Sequence, residues 1–179
     1  MRNATELMVQ YAAYHRDRRN IATHFVGIPL IVFAIGVLLA RPGVEVGSLI
    51  LTPAWVVWAL GTAWYLTRGN LVLGATTAFV SFVLFGMADQ VAHGSLASWL
   101  AWGVGSFVVG WVAQFIGHYY EGRKPAFVDD LVGLLVGPMF VTAELLFALG
   151  WGLSLLQEIE KRVGPTHLRD LAHPANAHR

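Results

Sequence analysis

Apolar residues fall into five blocks along the chain, each bounded by a short polar cluster. The blocks cover about residues 24–40, 48–66, 71–88, 96–117 and 131–156. A helix needs ~20 apolar residues to cross a bilayer core, so the first four blocks predict single spans. The fifth is longer than one span requires, and Gly137-Pro138 divides it. Proline is poorly tolerated inside a helix, so the expectation there is a short interfacial or re-entrant piece followed by a span over 138–156. Ahead of the first block, residues 3–19 repeat at helical spacing. Leu7, Met8, Tyr11, Tyr14 and His15 share one side; Arg16, Arg18 and Arg19 make the other basic. That is the pattern of an amphipathic helix resting on a membrane surface or on the bundle. Asn3 and Glu6 are spaced as a capping box at its start. The predicted fold is an all-α integral membrane protein: a helical bundle of about five apolar segments with an N-terminal amphipathic helix. Residues 1–156 form one membrane-embedded domain, and residues 157–179 form a polar tail expected to be loosely ordered.

Composition agrees. Of 179 residues, 56% are hydrophobic and 13% charged, and the mean hydropathy is +0.57. A soluble domain of this length could not hide that much apolar surface. The net charge of +1 gives no reason to expect nucleic acid as a partner. The absence of cysteine excludes disulfides, thiolate metal sites and cysteine nucleophiles. Any metal must be held by histidine and carboxylate, which suits iron, zinc or manganese better than copper(I). The first residues lack the order of a cleaved signal peptide. No internal duplication is visible, which argues against a repeat-built transporter.

The arginines set the sidedness. Arg2, Arg16, Arg18 and Arg19 precede the first span, so the N-terminus is expected in the cytoplasm. Counting spans brings the turn at Arg68 and the Arg123-Lys124 loop to the same face. His15, His24, His118 and Glu121 therefore converge there, and His93 falls on the opposite face. Five crossings would put the basic tail on the wrong side; an even number, with the last block folding back, would repair this.

The polar residues near these ends carry the candidate chemistry. In WVAQFIGHYYEGRKPA, residues 111–126, His118 and Glu121 lie three apart and share a helix face. One helix can offer such an imidazole and carboxylate to a single metal. Gln114 lies one turn earlier; Gly122 and Pro125 end the helix. The competing reading is a plain helix end, with Glu121 paired to Arg123 or Lys124 and Gln114 bonded to a neighbouring helix. His15 and His24 straddle a bend and strengthen the metal reading. Glu144 lies inside an apolar block, where an ionisable residue is by default a functional candidate. Its plain alternative is a protonated glutamate bonded to a neighbouring helix. The tail histidines, His167, His173 and His178, are assigned no metal role.

The blocks YHRDRRNIATHFVGIP and WVAQFIGHYYEGRKPAFVDDL, followed by LLVGP, resemble a family of bacterial and fungal membrane proteins. Its fungal members are 2-hydroxy fatty acid dioxygenases that act in phytosphingosine breakdown. The resemblance runs to about Leu156. It implies an Fe(2+)-dependent α-oxidation that consumes molecular oxygen and shortens a 2-hydroxy fatty acid by one carbon. It places metal ligands at His15, His24 and His118, with His93 as a further candidate. Gln114, Glu121 and Lys124 fall on the family's polar motif as catalytic candidates. Asn20 falls on it too and, with Arg123 and Lys124, is a candidate for substrate binding. The implied setting is a bacterial inner membrane with the active site facing the cytoplasm, and a homo-oligomer is allowed. Two other classes compete: a membrane transport or channel protein, and a haem-binding membrane subunit.

Overall fold

The structure is a computed structural model that describes residues 2–47 and 49–172. Ser48, the expected start of the second span, and the tail histidines His173 and His178 lie outside the described residues. The elements are helices α1 (Ala4–Ala12) and α2 (Arg18–Ala40), a hairpin of β1 (Val44–Val46) and β2 (Leu49–Leu51), and helices α3 (Pro53–Leu66), α4 (Leu71–Ala92), α5 (Leu96–Glu121), α6 (Gly133–Ala148) and α7 (Leu153–Val163). Three of these, α2, α4 and α5, are long and apolar enough to cross a membrane. Among the described residues the protein is all-α apart from the hairpin, and the all-α membrane class is the expected one.

Several boundaries move, each for a local reason. The expected helix over 3–19 stops at Ala12, although its Asn3–Glu6 capping box forms. Asp17 starts a new helix instead: its side chain accepts from the Arg19 N–H, the usual work of an N-cap. The chain bends between the two, and α2 begins six residues before His24. The second block is not one helix. Pro53 opens α3, where its missing N–H costs nothing. The apolar residues before it pair with 44–46 across a turn at Gly47, whose φ is +64°. That leaves α3 with 14 residues, ~21 Å of rise and short of a bilayer core. Asp89 and Gln90, expected in a connection, lie within α4.

The largest correction is the span over 138–156. Helix α6 ends at Ala148, and the chain reverses through Gly150 and Gly152, both at positive φ. Helix α7 then leaves at 114° to α6. Helix α6 packs against α1, α2 and α4. The Arg2–Asp130 ion pair precedes it, Tyr65 Oη donates to the Leu135 carbonyl at 3.1 Å, and the Phe140 ring lies 5.0 Å from Tyr11. The Arg16–Glu144 pair follows at 4.0 Å. The fifth block is therefore two helices with a sharp reversal between them, not one straight span over 138–156. The expected polar tail begins inside α7, whose Ile159 is buried against this same core.

Helices α2 and α5 run antiparallel and close together. A Cβ on Gly27 would lie 2.7 Å from the Gly110 carbonyl oxygen, and one on Gly110 2.9 Å from that of Gly27. Small residues allow this approach where lipid gives helices no hydrophobic reason to associate. The outward faces of α4 and α5 expose Phe79, Phe82, Val108 and Phe115, as lipid contact requires.

Candidate metal centre

The α2–α5 pair has two ends, and the chemistry lies at one. His15 sits in the bend between α1 and α2, with no exposed surface. Its ring stacks on Tyr11 at 4.1 Å, and its Nδ1–H donates to the Tyr11 carbonyl at 2.7 Å. His24, 1% exposed, lies one turn after Asn20, and its Nδ1–H donates to the Asn20 carbonyl at 2.9 Å. These acceptors assign the tautomers. With both Nδ1 protons committed, each Nε2 presents a lone pair, and the two face each other at 3.0 Å. Two lone pairs at that distance repel unless something electron-poor sits beside them. Burial first, and then the facing His24 imidazole, hold His15 well below the ordinary histidine pKa, so it stays neutral.

His118 completes the group from the last turn of α5. Its ring centroid is 5.0 Å from His15 and 5.2 Å from His24, and its buried Nδ1 has no hydrogen-bond partner. One nitrogen from each of the three rings lies within 4.8 Å of the others. Three converging imidazoles, two of them oriented by backbone carbonyls, fit a divalent transition metal with positions left open.

Glu121 stands outside this group of three. Its carboxylate accepts from the Arg16 N–H at 3.0 Å, the Asp17 N–H at 2.8 Å and Asn20 Nδ2–H at 3.0 Å. It ties the bend that carries His15 to the end of α5, and it places negative charge at the start of α2, where the helix dipole favours it. Asn20 also donates to the Tyr14 carbonyl, so it links Glu121 to the His24 anchor without lining the cavity beside the histidines. The plain pairing of Glu121 with Arg123 or Lys124 does not form. Arg123 donates to the Ala13 carbonyl and Lys124 pairs with Asp129.

That cavity, ≈ 230 Å³, opens between α2, α5 and α6. Tyr11, His24, His118 and Gln114 form its polar end; Ile28, Ile31, Val32, Ile35, Phe107 and Trp111 line its α2 and α5 walls. Gln114 is 5% exposed, and its Nε2 has no partner. Neither Arg123 nor Lys124 reaches this wall. Glu144 turns toward Arg16 at the outer side of the bend.

His93 does not join the cluster. It caps α4 at the hairpin end, 56% exposed in its side chain and 3.7 Å from Asp89. From residue 96 to residue 118 the helix rises ~33 Å, so a fourth ligand from His93 has no place here.

Sequence reading missed Tyr11, Asp17 and Phe140. Asp17 was findable, since an Asp before a helical run is a start signal. It also missed a C-terminal strap. His167 N–H donates to the Arg16 carbonyl and Arg18 N–H to the His167 carbonyl, each at 2.9 Å. Arg169 N–H donates to Asp17 Oδ2 at 2.8 Å, and Arg19 Nη2–H to the Arg169 carbonyl at 2.7 Å.

Residues 1–149 match a family model described as Mpo1-like: 2-hydroxy-palmitic acid dioxygenase Mpo1-like. The chain belongs to the Mpo1-like family. A curated relative, 2-hydroxy-palmitic acid dioxygenase MPO1 of Saccharomyces cerevisiae, is 26% identical over 152 residues, 84% of this chain and 83% of that protein. No solved structure matches. The Mpo1-like match contains all three clustered histidines, Gln114 and Glu121, and ends before α7 and the strap. Membership supports a dioxygenase acting on 2-hydroxy fatty acids.

Proposed function

We propose that the protein is an Fe(2+)-dependent dioxygenase that shortens 2-hydroxy fatty acids by one carbon, with the metal held by His15, His24 and His118. The observation that carries this reading is the meeting of two tautomer-locked Nε2 lone pairs 3.0 Å apart at the head of an apolar cavity. When bound there, iron(II) supplies open coordination positions for a 2-hydroxy acid and oxygen together. The protein's own residues do the rest. Tyr11, stacked on His15, and Gln114, with its free Nε2–H, flank the position of the substrate head group. Glu121 and Asn20 act as positioning residues that hold the two ligand-bearing segments in register. The apolar walls exclude water and take the acyl chain.

The reaction balances with one O2. The bond between C1 and C2 breaks, the two carbons lose four electrons to oxygen, and the products are the acid one carbon shorter, carbon dioxide and water. The described Lys and Arg residues support a cytoplasmic metal end in a bacterial inner membrane. Arg2, Arg16, Arg18, Arg19, Arg68, Arg123, Lys124, Lys161, Arg162 and Arg169 gather there, against Arg41 at the hairpin end. Facing nitrogens 3.0 Å apart leave no room for a porphyrin between them, which disfavours the haem reading. The test is oxygen uptake by the purified, iron-loaded protein with saturated 2-hydroxy acids. The expected result is one O2 consumed per odd-chain acid released from an even-chain substrate. No iron-dependent uptake with any 2-hydroxy acid would overturn the proposal.

A further inference from the structure

The straight length of the cavity is matched on two helices independently. On α2 its wall is the stripe Ile28, Ile31, Val32 and Ile35, spaced to share one helix face. On α5 it runs from His118 past Gln114 and Trp111 to Phe107. His24 to Ile35 and His118 to Phe107 are the same separation in sequence, ~16 Å of helix each. One turn further on the seam is shut. Leu38 fills the space over Gly103, where an added Cβ would lie 2.5 Å from Leu38 Cδ2, and Trp99 Nε1–H donates across to the Val37 carbonyl at 2.8 Å.

We propose that this seam is an acyl-chain ruler: the Ile35–Phe107 pair, with Leu38 as the floor behind it, sets the longest 2-hydroxy acid the protein takes. The inference rests on the proposed substrate class and goes beyond it by assigning residues to chain length. The polar head lies at the histidines and Gln114, and the chain runs straight along α2 and α5. An extended chain with C–C bonds of about 1.5 Å advances ~1.25 Å per carbon, so the seam holds about 13 carbons beyond the head. A second cavity against α3 and α4 shares Val32, Ile35, Leu134 and Pro138 with this one and continues to Trp58 and Phe85. It offers a bent route. The straight route is favoured because it has a matched wall on each helix and a defined floor.

The test is anaerobic binding of saturated 2-hydroxy acids of increasing length to the full, iron-loaded chain in nanodiscs, so that no turnover enters the readout. Affinity in the unsubstituted protein is expected to rise about fourfold per methylene and to level off where the seam ends, near 15 carbons in all. Ile35→Trp fills the last turn and moves that plateau about four carbons shorter, one helical turn of chain. Leu38→Ala opens the floor and moves it longer. A plateau unmoved in both variants overturns the ruler, as does one that moves with Trp58→Ala instead, which would assign the bent route. Failure to bind at any length overturns it too, but then iron-dependent oxygen uptake is also absent, and the proposed reaction falls with it. Oxygen uptake that persists with an unmoved plateau removes the ruler alone.

Discussion

His118 and His93 sit at opposite ends of the bundle, each at the end of a long apolar helix, and they differ in everything except residue type. His118 is 7% exposed, edge-on to two other imidazoles, in the last turn of α5 beside a bend held by charged and backbone hydrogen bonds. His93 faces outward beside Asp89, where packing relies on Ala40, Ala54, Phe85 and Ala92. The lesson is that a histidine at a helix end is no ligand by position. It becomes a candidate where carbonyls fix its neighbours' tautomers and burial keeps them neutral.

The sharpest way to break this contrast is at Glu121. Glu121→Ala leaves two backbone N–H groups without their acceptor and removes one of the two acceptors of Asn20 Nδ2. We expect a loss of roughly 2–4 kcal/mol in unfolding free energy, together with weakened metal binding. Asp89→Ala at the other end is expected to change stability by less than about 0.5 kcal/mol. Thermal midpoints of the two variants in one detergent check the comparison; equal losses would erase it. A smaller effect is expected at Asp17. Asp17→Ala removes the α2 cap and the acceptor for Arg169, costing about 1–2 kcal/mol. It should lower metal affinity while circular dichroism retains the helical content. Unchanged affinity would mean that the strap does not hold the His15 bend.

Per pH unit, the smallest effect is the pH response. The folded-state pKa of His15 is depressed below about 6.5, its unfolded value. Its contribution to the metal-free protein's stability is therefore intact above that pH and is lost as the pH falls from there toward the folded value. The slope from this one group reaches at most about 1.4 kcal/mol per pH unit. His15→Gln should flatten that part of the profile, read as thermal midpoint against pH. An identical profile would show that His15 does not carry it.

The apolar blocks made the bundle legible, and the three-residue spacing of His118 and Glu121 marked the right helix end. What stayed hidden was hidden for physical reasons. The arginine count already called for the last block to fold back, but its break was expected at Gly137-Pro138, whereas α6 runs through Pro138 and the chain reverses at Gly150 and Gly152. Glu121 bonds to backbone N–H groups, which carry no signature in the residues that own them, so a metal role and a structural role looked alike. The strap at 167–169 acts largely through its main chain and carries no motif. Asp17, by contrast, was readable. An amphipathic stripe running past it made residues 3–19 look like one helix.

The central claim is that three histidines, and not His93, form one metal site. Iron content per chain, measured by elemental analysis after anaerobic loading and desalting, tests it directly across His15→Ala, His24→Ala, His118→Ala and His93→Ala. The account predicts one iron per chain in the unsubstituted protein and in His93→Ala, and loss of most of it in each of the other three, with helical content retained. Iron unchanged in those three variants, or lost only in His93→Ala, would contradict it.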